Sequence, residues 1–248
     1  MKKLHPELQD YQPIKVKGYT HLFAKVEAGT QADLEAAQLI LQCVDEDGDV
    51  RFDQVRALHT KYIGGGSFSK VFRHPTDSSK VVKIMARYRS DSTCYQYLRL
   101  VSQGVLTHEW CPKVHAMGRL KVVHKSIRRD APLFHVQDMA YVVLDYLSDE
   151  HEFDDWETEA TDILKIRYEF KRDVIDVYFP YAKLDVRGSN VLLDDSGTLI
   201  CVDPVWNNGD EEPISKLNYI YKRATPLPVK QQTFINNLRQ GIQHARVW

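Results

Sequence analysis

Apolar positions first recur at helical spacing at Leu34, Ala37, Leu41 and Val44, with Leu39 and Ile40 widening the stripe. Thr30 stands where an N-cap is needed and Asp33 in the first turn. The pattern predicts a helix from about Gln31 to the acidic stop Asp45-Glu46-Asp47-Gly48-Asp49. The residues before it are mixed, with little periodicity. From Ala57 the pattern becomes strand-like. One run ends in Ile63-Gly64-Gly65-Gly66-Ser67-Phe68-Ser69, a second strand starts at Lys70-Val71-Phe72, and a third is Lys80-Val81-Val82-Lys83-Ile84-Met85. Ser90 to about Gly104 predicts a helix with Cys94, Tyr95, Leu98 and Val101 inward. Met139 to Leu147 is a buried strand that turns polar at its end. Trp156, Ala160, Ile163, Leu164, Phe170, Val174, Val177 and Tyr178 predict a long helix that Pro180 ends. Val191-Leu192-Leu193 and Thr198 to Val202 form a hairpin around Asp194-Asp195-Ser196-Gly197. Two short helices are expected near 213–222 and 228–245. These elements predict an α+β protein.

Composition narrows the classes. The chain has 248 residues, is 43% apolar and carries a net charge of -1, with no basic excess for general nucleic-acid or membrane-surface binding. No run approaches the ~18 apolar residues of a membrane helix, and the start of the chain has no apolar signal region. Cys43, Cys94, Cys111 and Cys201 lack zinc or C-x-x-C spacing and read as reduced, mostly buried thiols of a cytosolic protein. Arg119, Lys121, Lys125, Arg128 and Arg129 make residues 118–132 basic, which reads as a solvated hairpin loop. Asp149, Glu150, Glu152, Asp154, Asp155, Glu157 and Glu159 precede the long helix, where its dipole favours acids. Asp45, Asp47 and Asp49 alternate as in an EF-hand. Val50 stands at the position needing glycine and Arg56 at the one needing glutamate, so a solvated turn is expected instead.

The chemistry gathers around the hairpin. Its ends bring Asn190 and Asp203 side by side, an amide and a carboxylate suited to a hard cation such as Mg²⁺. Asp185, five residues before Asn190, is placed to handle a proton beside that metal. The glycines of residues 63–69 let the backbone approach a phosphate, and no Walker lysine follows. Lys83 lies within an apolar strand, where a cation needs an anionic partner.

Five elements stand in one order: IGGGSFSKV, VVKIM, YVVLDYL, LDVRGSN and CVDPV. In this order they resemble protein kinases, and more closely the serine/threonine protein kinases of T7-like bacteriophages, over about residues 55–206. The resemblance implies a two-lobed protein-kinase-like fold with an antiparallel-sheet N-lobe and a reduced, mainly helical C-lobe. It divides the chain into an N-terminal helical extension (1–54), an N-lobe with the hinge (55–147) and a minimal C-lobe (148–248). It implies ATP and Mg²⁺ as cofactors. Asp185 would be the catalytic base, Asn190 and Asp203 the metal ligands and Lys83 the phosphate-binding lysine. Arg187 would stabilise the transferring phosphoryl. Ile63, Gly64, Gly65, Gly66, Ser67, Phe68, Ser69 and Val71 would cover the phosphates, with Val81 roofing the adenine. Leu144 would be the gatekeeper, and the backbone of Asp145, Tyr146 and Leu147 would bind adenine. Substrates would be host bacterial proteins, including transcription and RNA-processing machinery, in the host cytoplasm, with no direct nucleic-acid or membrane partner. Departures are Leu184 for the usual Arg, Pro204 for the usual glycine context, and no glutamate in the helix after Lys83, where Asp91 or Gln96 would substitute. A small-molecule kinase of the aminoglycoside-phosphotransferase type, or a pseudokinase that binds a host protein, are the competing readings. Oligomeric state is not legible.

Overall fold

Each unit of the chain is built on antiparallel pairing. The computed structural model describes residues 8–45, 48–66, 69–85, 93–125, 134–147, 164–180, 182–185 and 190–206. Seven strands form one antiparallel sheet: β1 (Gln12–Ile14), β2 (Leu22–Ala28), β3 (Tyr62–Gly65), β4 (Lys70–Arg73), β5 (Lys80–Met85), β6 (Val114–Lys125) and β7 (Phe134–Asp145), in the order β1-β2-β6-β7-β5-β4-β3. The fold is α+β with few helices among the described residues.

One face of this sheet is covered by α1 (Gln31–Leu41). Thr30 caps it as expected: Thr30 Oγ1 accepts from the Asp33 N–H at 3.4 Å, and Asp33 Oδ2 accepts from the Thr30 N–H at 2.8 Å. Leu34, Ala36, Ala37, Ile40 and Leu41 are buried. Leu34, Ala37, Ile40 and Leu41 pack in one core with Leu22, Ala24, Phe72, Val82, Ile84, Leu120, Tyr141 and Val143. Leu39, expected on the apolar stripe, is exposed, because it falls on the side of the helix away from Leu34 and Leu41. Val44 lies past the helix end, where it bridges Val50 and closes the acidic turn; the Asp49 N–H donates to Asp45 Oδ1 at 2.8 Å.

Three expectations change. Residues 12–28 form β1 and β2 despite their weak periodicity. A short helix, α2 (Phe52–Ala57), precedes β3. The largest correction is residues 114–125. They are a strand paired on both sides, not a solvated loop. Arg119 and Lys121 are 4% and 1% exposed, and both are neutralised within the sheet. Arg119 Nε lies 2.7 Å from Glu27 Oε1, and Lys121 Nζ lies 2.9 Å from Asp138 Oδ1. A buried cation is tolerable when paired in this way.

The chain separates into two units: residues 1–89 with 113–146, and residues 90–112 with 147–248. The second contains α3 (Thr93–Ser102), a π-helix (Ile166–Ile175) that runs on through Asp176–Tyr178, and the short strands β8 (Lys183–Leu184), β9 (Val191–Leu193), β10 (Leu199–Cys201) and β11 (Val205–Trp206). In α3 the buried residues are Tyr95, Tyr97, Leu98 and Leu100; Cys94 and Val101 are only half-buried. Tyr97 donates to the Cys201 carbonyl at 2.9 Å and thereby ties α3 to β10. The π-helix buries Ile166, Phe170, Val174 and Ile175. Its wide turn, with i to i+5 bonding, brings residues four apart into line. Leu164 and Val177, expected on the same face, are exposed. Burial raises the thiols of Cys43 and Cys111 to about 11, and raises Cys201 further. The expected helices near 213–222 and 228–245 and the acidic run 149–159 lie outside the described residues, as do Arg128 and Arg129.

Gly118 sits at a close approach of β6 to its two neighbours. A methyl group there would stand 2.5 Å from the Tyr141 ring and 2.7 Å from the Lys25 carbonyl. Gly118→Ala is expected to destabilise the protein by about 1–3 kcal/mol, read as a lowered midpoint in urea with an unchanged slope.

Candidate functional site

In the second unit the site is assembled by backbone hydrogen bonds around one residue. The Asn190 carbonyl accepts from the Val202 N–H at 2.9 Å and from the Asp203 N–H at 3.4 Å. The Asn190 side chain donates from Nδ2 to the Asp185 carbonyl at 3.2 Å. The Asp185 N–H in turn donates to the Pro204 carbonyl at 2.8 Å. Asp185, Asn190 and Asp203 are therefore brought together, each half-buried.

Two ladders make this arrangement possible. β9 pairs with β10 in the register Val191 to Cys201, so the hairpin opens at Asn190 and Val202. β8 pairs with β11 through Leu184 and Val205, which sets Asp185 opposite Pro204. The hairpin turn is held by Asp194. Its Oδ1 accepts from the Ser196 N–H at 2.9 Å, the Ser196 hydroxyl at 2.6 Å and the Thr198 N–H at 2.8 Å. Gly197 has φ 79°, the left-handed conformation that glycine allows. On the other edge, the Cys201 N–H donates to the Trp110 carbonyl at 2.8 Å.

The donor set fits a hard divalent cation. With the Asn190 amide nitrogen committed to Asp185, its oxygen turns away from that carbonyl. An amide oxygen and the Asp203 carboxylate are the ligand types Mg²⁺ takes, and Mg²⁺ fills its remaining positions with water or phosphate. Arg187 lies outside the described residues.

In the first unit, antiparallel register sorts the expected nucleotide residues by face, since directly paired residues share one. Gly64 pairs with Val71, Val71 with Lys83, Lys83 with Val142 and Val81 with Leu144. Gly64, Val71, Val81, Lys83 and Leu144 thus share the face opposite α1. Lys83 is 5% exposed there. Ile63 falls at the register shift between Tyr62 and Gly64. A methyl group on Gly64 or Gly66 would meet nothing within 4 Å, whereas one on Gly65 would strike the Ser69 carbonyl. Gly65 is thus required by the hairpin, while Gly64 and Gly66 leave room beside the backbone. Ser69 leads into β4; Ser67 and Phe68 lie outside the described residues.

No protein-family model matches the chain, and no curated protein matches its sequence.

The end of β7 adds residues that the sequence did not single out. The Tyr146 N–H donates to the Ser79 carbonyl at 2.8 Å. The Asp145 side chain pairs with His115 Nε2 at 2.5 Å. The Arg73 guanidinium covers the Tyr146 ring at 3.0 Å from its centroid. Leu147 is half-buried. Lys70 also emerges, with Nζ donating to the Gly66 carbonyl at 3.0 Å and so placing a positive charge on the glycine loop. A lysine four residues after the last glycine of the run was the only sequence signal for it. The two residues bracing Tyr146 and Asp145 are distant in sequence and gave none. Gln96 lies in α3, in the second unit, and Asp91 lies outside the described residues.

The hydrogen bond from Ser196 holds the Asp194 carboxyl below its ordinary value of 3.8. Its contribution to stability is therefore whole above that value and is lost as pH falls below it. Asp194→Ala is expected to lower the thermal midpoint at pH 7, and the deficit relative to the parent chain should shrink as pH is lowered below about 4, which melting curves across pH check.

Proposed function

We propose that the chain is an ATP- and Mg²⁺-dependent serine/threonine protein kinase with a protein-kinase-like, two-lobed organisation. The observation that carries this reading is the Asn190 clasp: one residue whose carbonyl holds Asp203 and whose amide holds Asp185. A proton acceptor and two oxygen ligands joined in this way are what transfer of a phosphoryl group to a hydroxyl requires. Asn190 and Asp203 would hold Mg²⁺, which neutralises phosphate charge when bound. Asp185 orients the substrate hydroxyl and accepts its proton. The shared face of Gly64, Val71, Val81, Lys83 and Leu144 supports the nucleotide half of the reading. Lys83 supplies a fixed positive charge for phosphate oxygens from within an apolar strand. Val71, Val81 and Leu144 offer an apolar surface for a base. The backbone contact to adenine narrows to the Asp145 carbonyl and the Leu147 N–H, because the Tyr146 N–H is committed to Ser79. Arg187 keeps its proposed role beside the phosphoryl group. The resemblance to phage kinases makes host bacterial proteins, in the host cytoplasm, the substrates to try first. No helix among the described residues is long and apolar enough to cross a membrane.

The test is incubation of the protein with γ-labelled ATP, Mg²⁺ and a bacterial lysate. Label is expected on protein Ser or Thr, falling by about a hundredfold or more in Asp185→Ala. Label confined to small molecules makes the chain a small-molecule kinase. Nucleotide binding without label makes it a pseudokinase. A second expectation separates fold from site. Gly64→Ala and Gly66→Ala place a methyl in open space, so the melting temperature should hold while the KM for ATP rises. A fall in melting temperature that accounts for the whole loss of activity would reject the loop assignment.

A further inference from the structure

We infer that Lys70 is a positioning residue that fastens the glycine loop from behind and holds the Gly66 carbonyl away from the phosphates of a bound nucleotide; the inference rests on the kinase reading and adds a residue to its nucleotide site. Gly64, Gly65 and Gly66 follow one another in the chain. A glycine has no Cβ to bias its backbone, so side-chain packing does not decide which way these peptide units turn. The choice matters for a ligand with phosphates. Backbone N–H groups attract phosphate oxygens, and a carbonyl oxygen aimed at them repels them.

The register places Lys70 on the side of the β3–β4 hairpin away from the proposed nucleotide. Lys70 pairs with Gly65 on β3 and with Ile84 on β5. Ile84 belongs to the core that α1 covers. The next row is Gly64, Val71 and Lys83, and successive residues of a strand face opposite ways. Lys70 therefore sits behind the surface assigned to the phosphates, not on it.

Two observations lay its side chain across the loop. A methyl group on Gly65 would stand 3.1 Å from Lys70 Cδ, so the lysine stem passes over that glycine. Beyond it, Nζ donates to the Gly66 carbonyl at 3.0 Å. A hydrogen bond from an ionised donor is stronger than a neutral one, and each residue has a single backbone carbonyl to commit. Drawn toward the lysine, the Gly66 carbonyl is kept from the opposite side, where Gly64 leaves open space beside the backbone. A released carbonyl would oppose the phosphates in the bound state and in the transition state alike. Losing the fastening should therefore raise KM for ATP and leave kcat in place. Adenosine, which carries no phosphate, should not sense it.

The test uses the full chain and two variants. Lys70→Met keeps an unbranched stem over Gly65 and removes the donor, and Lys70→Arg keeps a charged donor. Calorimetric titration with ATP and Mg²⁺, and separately with adenosine, reads binding apart from turnover. Hydrogen–deuterium exchange over residues 62–71 reads the loop with no ligand added. Lys70→Met is expected to weaken ATP about fivefold, to leave adenosine binding in place and to speed exchange over residues 62–71. Lys70→Arg should restore both. In the labelling assay, KM for ATP should rise by the same factor at constant kcat. Unchanged ATP affinity in Lys70→Met overturns the inference. So does an equal loss for ATP and adenosine, or a fall in melting temperature that accounts for the loss. So does a loss that vanishes at high salt with loop exchange unchanged, because Lys70 then acts only as a charge that ions screen. A parent chain that neither binds ATP nor labels protein, while Lys70→Met still loosens the loop, would sink the kinase reading and keep the fastening. Protein labelling with the same KM in Lys70→Met would do the reverse.

Discussion

The first unit depends on the register of β5 against β7. Lys83 stands opposite Val142, and Val82 opposite Val143. A slip of one residue on β5 would exchange the two faces. Lys83 would enter the core of Leu34, Ile40 and Tyr141, and Val82 would take its place on the face that carries Gly64, Val71 and Leu144. Burial of an uncompensated ammonium costs several kcal/mol, so this slip is strongly disfavoured. The long β6–β7 ladder reinforces the register from the other side. Lys121 and Asp138 are directly paired across it and form an ion pair, and Arg119 reaches Glu27 on β2. A slip of β6 would part both pairs inside the sheet. The buried charges thus fix alignment, whatever their net contribution to stability.

In the second unit, Asn190 plays the corresponding part. Across the interval of five residues from Asp185 to Asn190, the Asn190 amide reaches back to the Asp185 carbonyl. The hairpin then returns Val202 and Asp203 to the Asn190 carbonyl. These contacts are backbone to backbone or one short amide to backbone. Tyr97 and Trp110 fix the far side of the hairpin through Cys201, so β10 is anchored independently of anything that binds at Asp203.

Local signals were legible in the sequence, and long-range pairings were not. The cap at Thr30, the turn at Asp194 to Gly197 and the hairpin around it are decided by residues a few positions apart. All three stand where the pattern put them. The strand of Lys83 was legible because Val81, Val82 and Ile84 crowd β-branched side chains around the lysine, a composition that favours a pleated strand over a helix. Residues 114–125 misled because a period-2 rule counts Arg119 and Lys121 as solvent-facing. Only Glu27 and Asp138, far away in sequence, make their burial tolerable. The same holds for the end of β7, where His115 and Arg73 come from other strands. The long helix shows a different failure. A repeat of 3.6 residues places Leu164 and Val177 inward, while the wider turn seats Ile166, Phe170 and Val174 four residues apart.

Sign of charge along the chain is a poor guide to role here, and location is a better one. Arg119 and Lys121 made a segment look like an exposed basic patch, yet each is neutralised inside the sheet. Arg167 and Lys171 attract no notice in the sequence, because Glu169, Asp173 and Asp176 balance them within a few residues. In three dimensions two of those acids are spent along the helix itself: Asp173 pairs with Arg172 and Asp176 with Lys171, each at 2.6 Å.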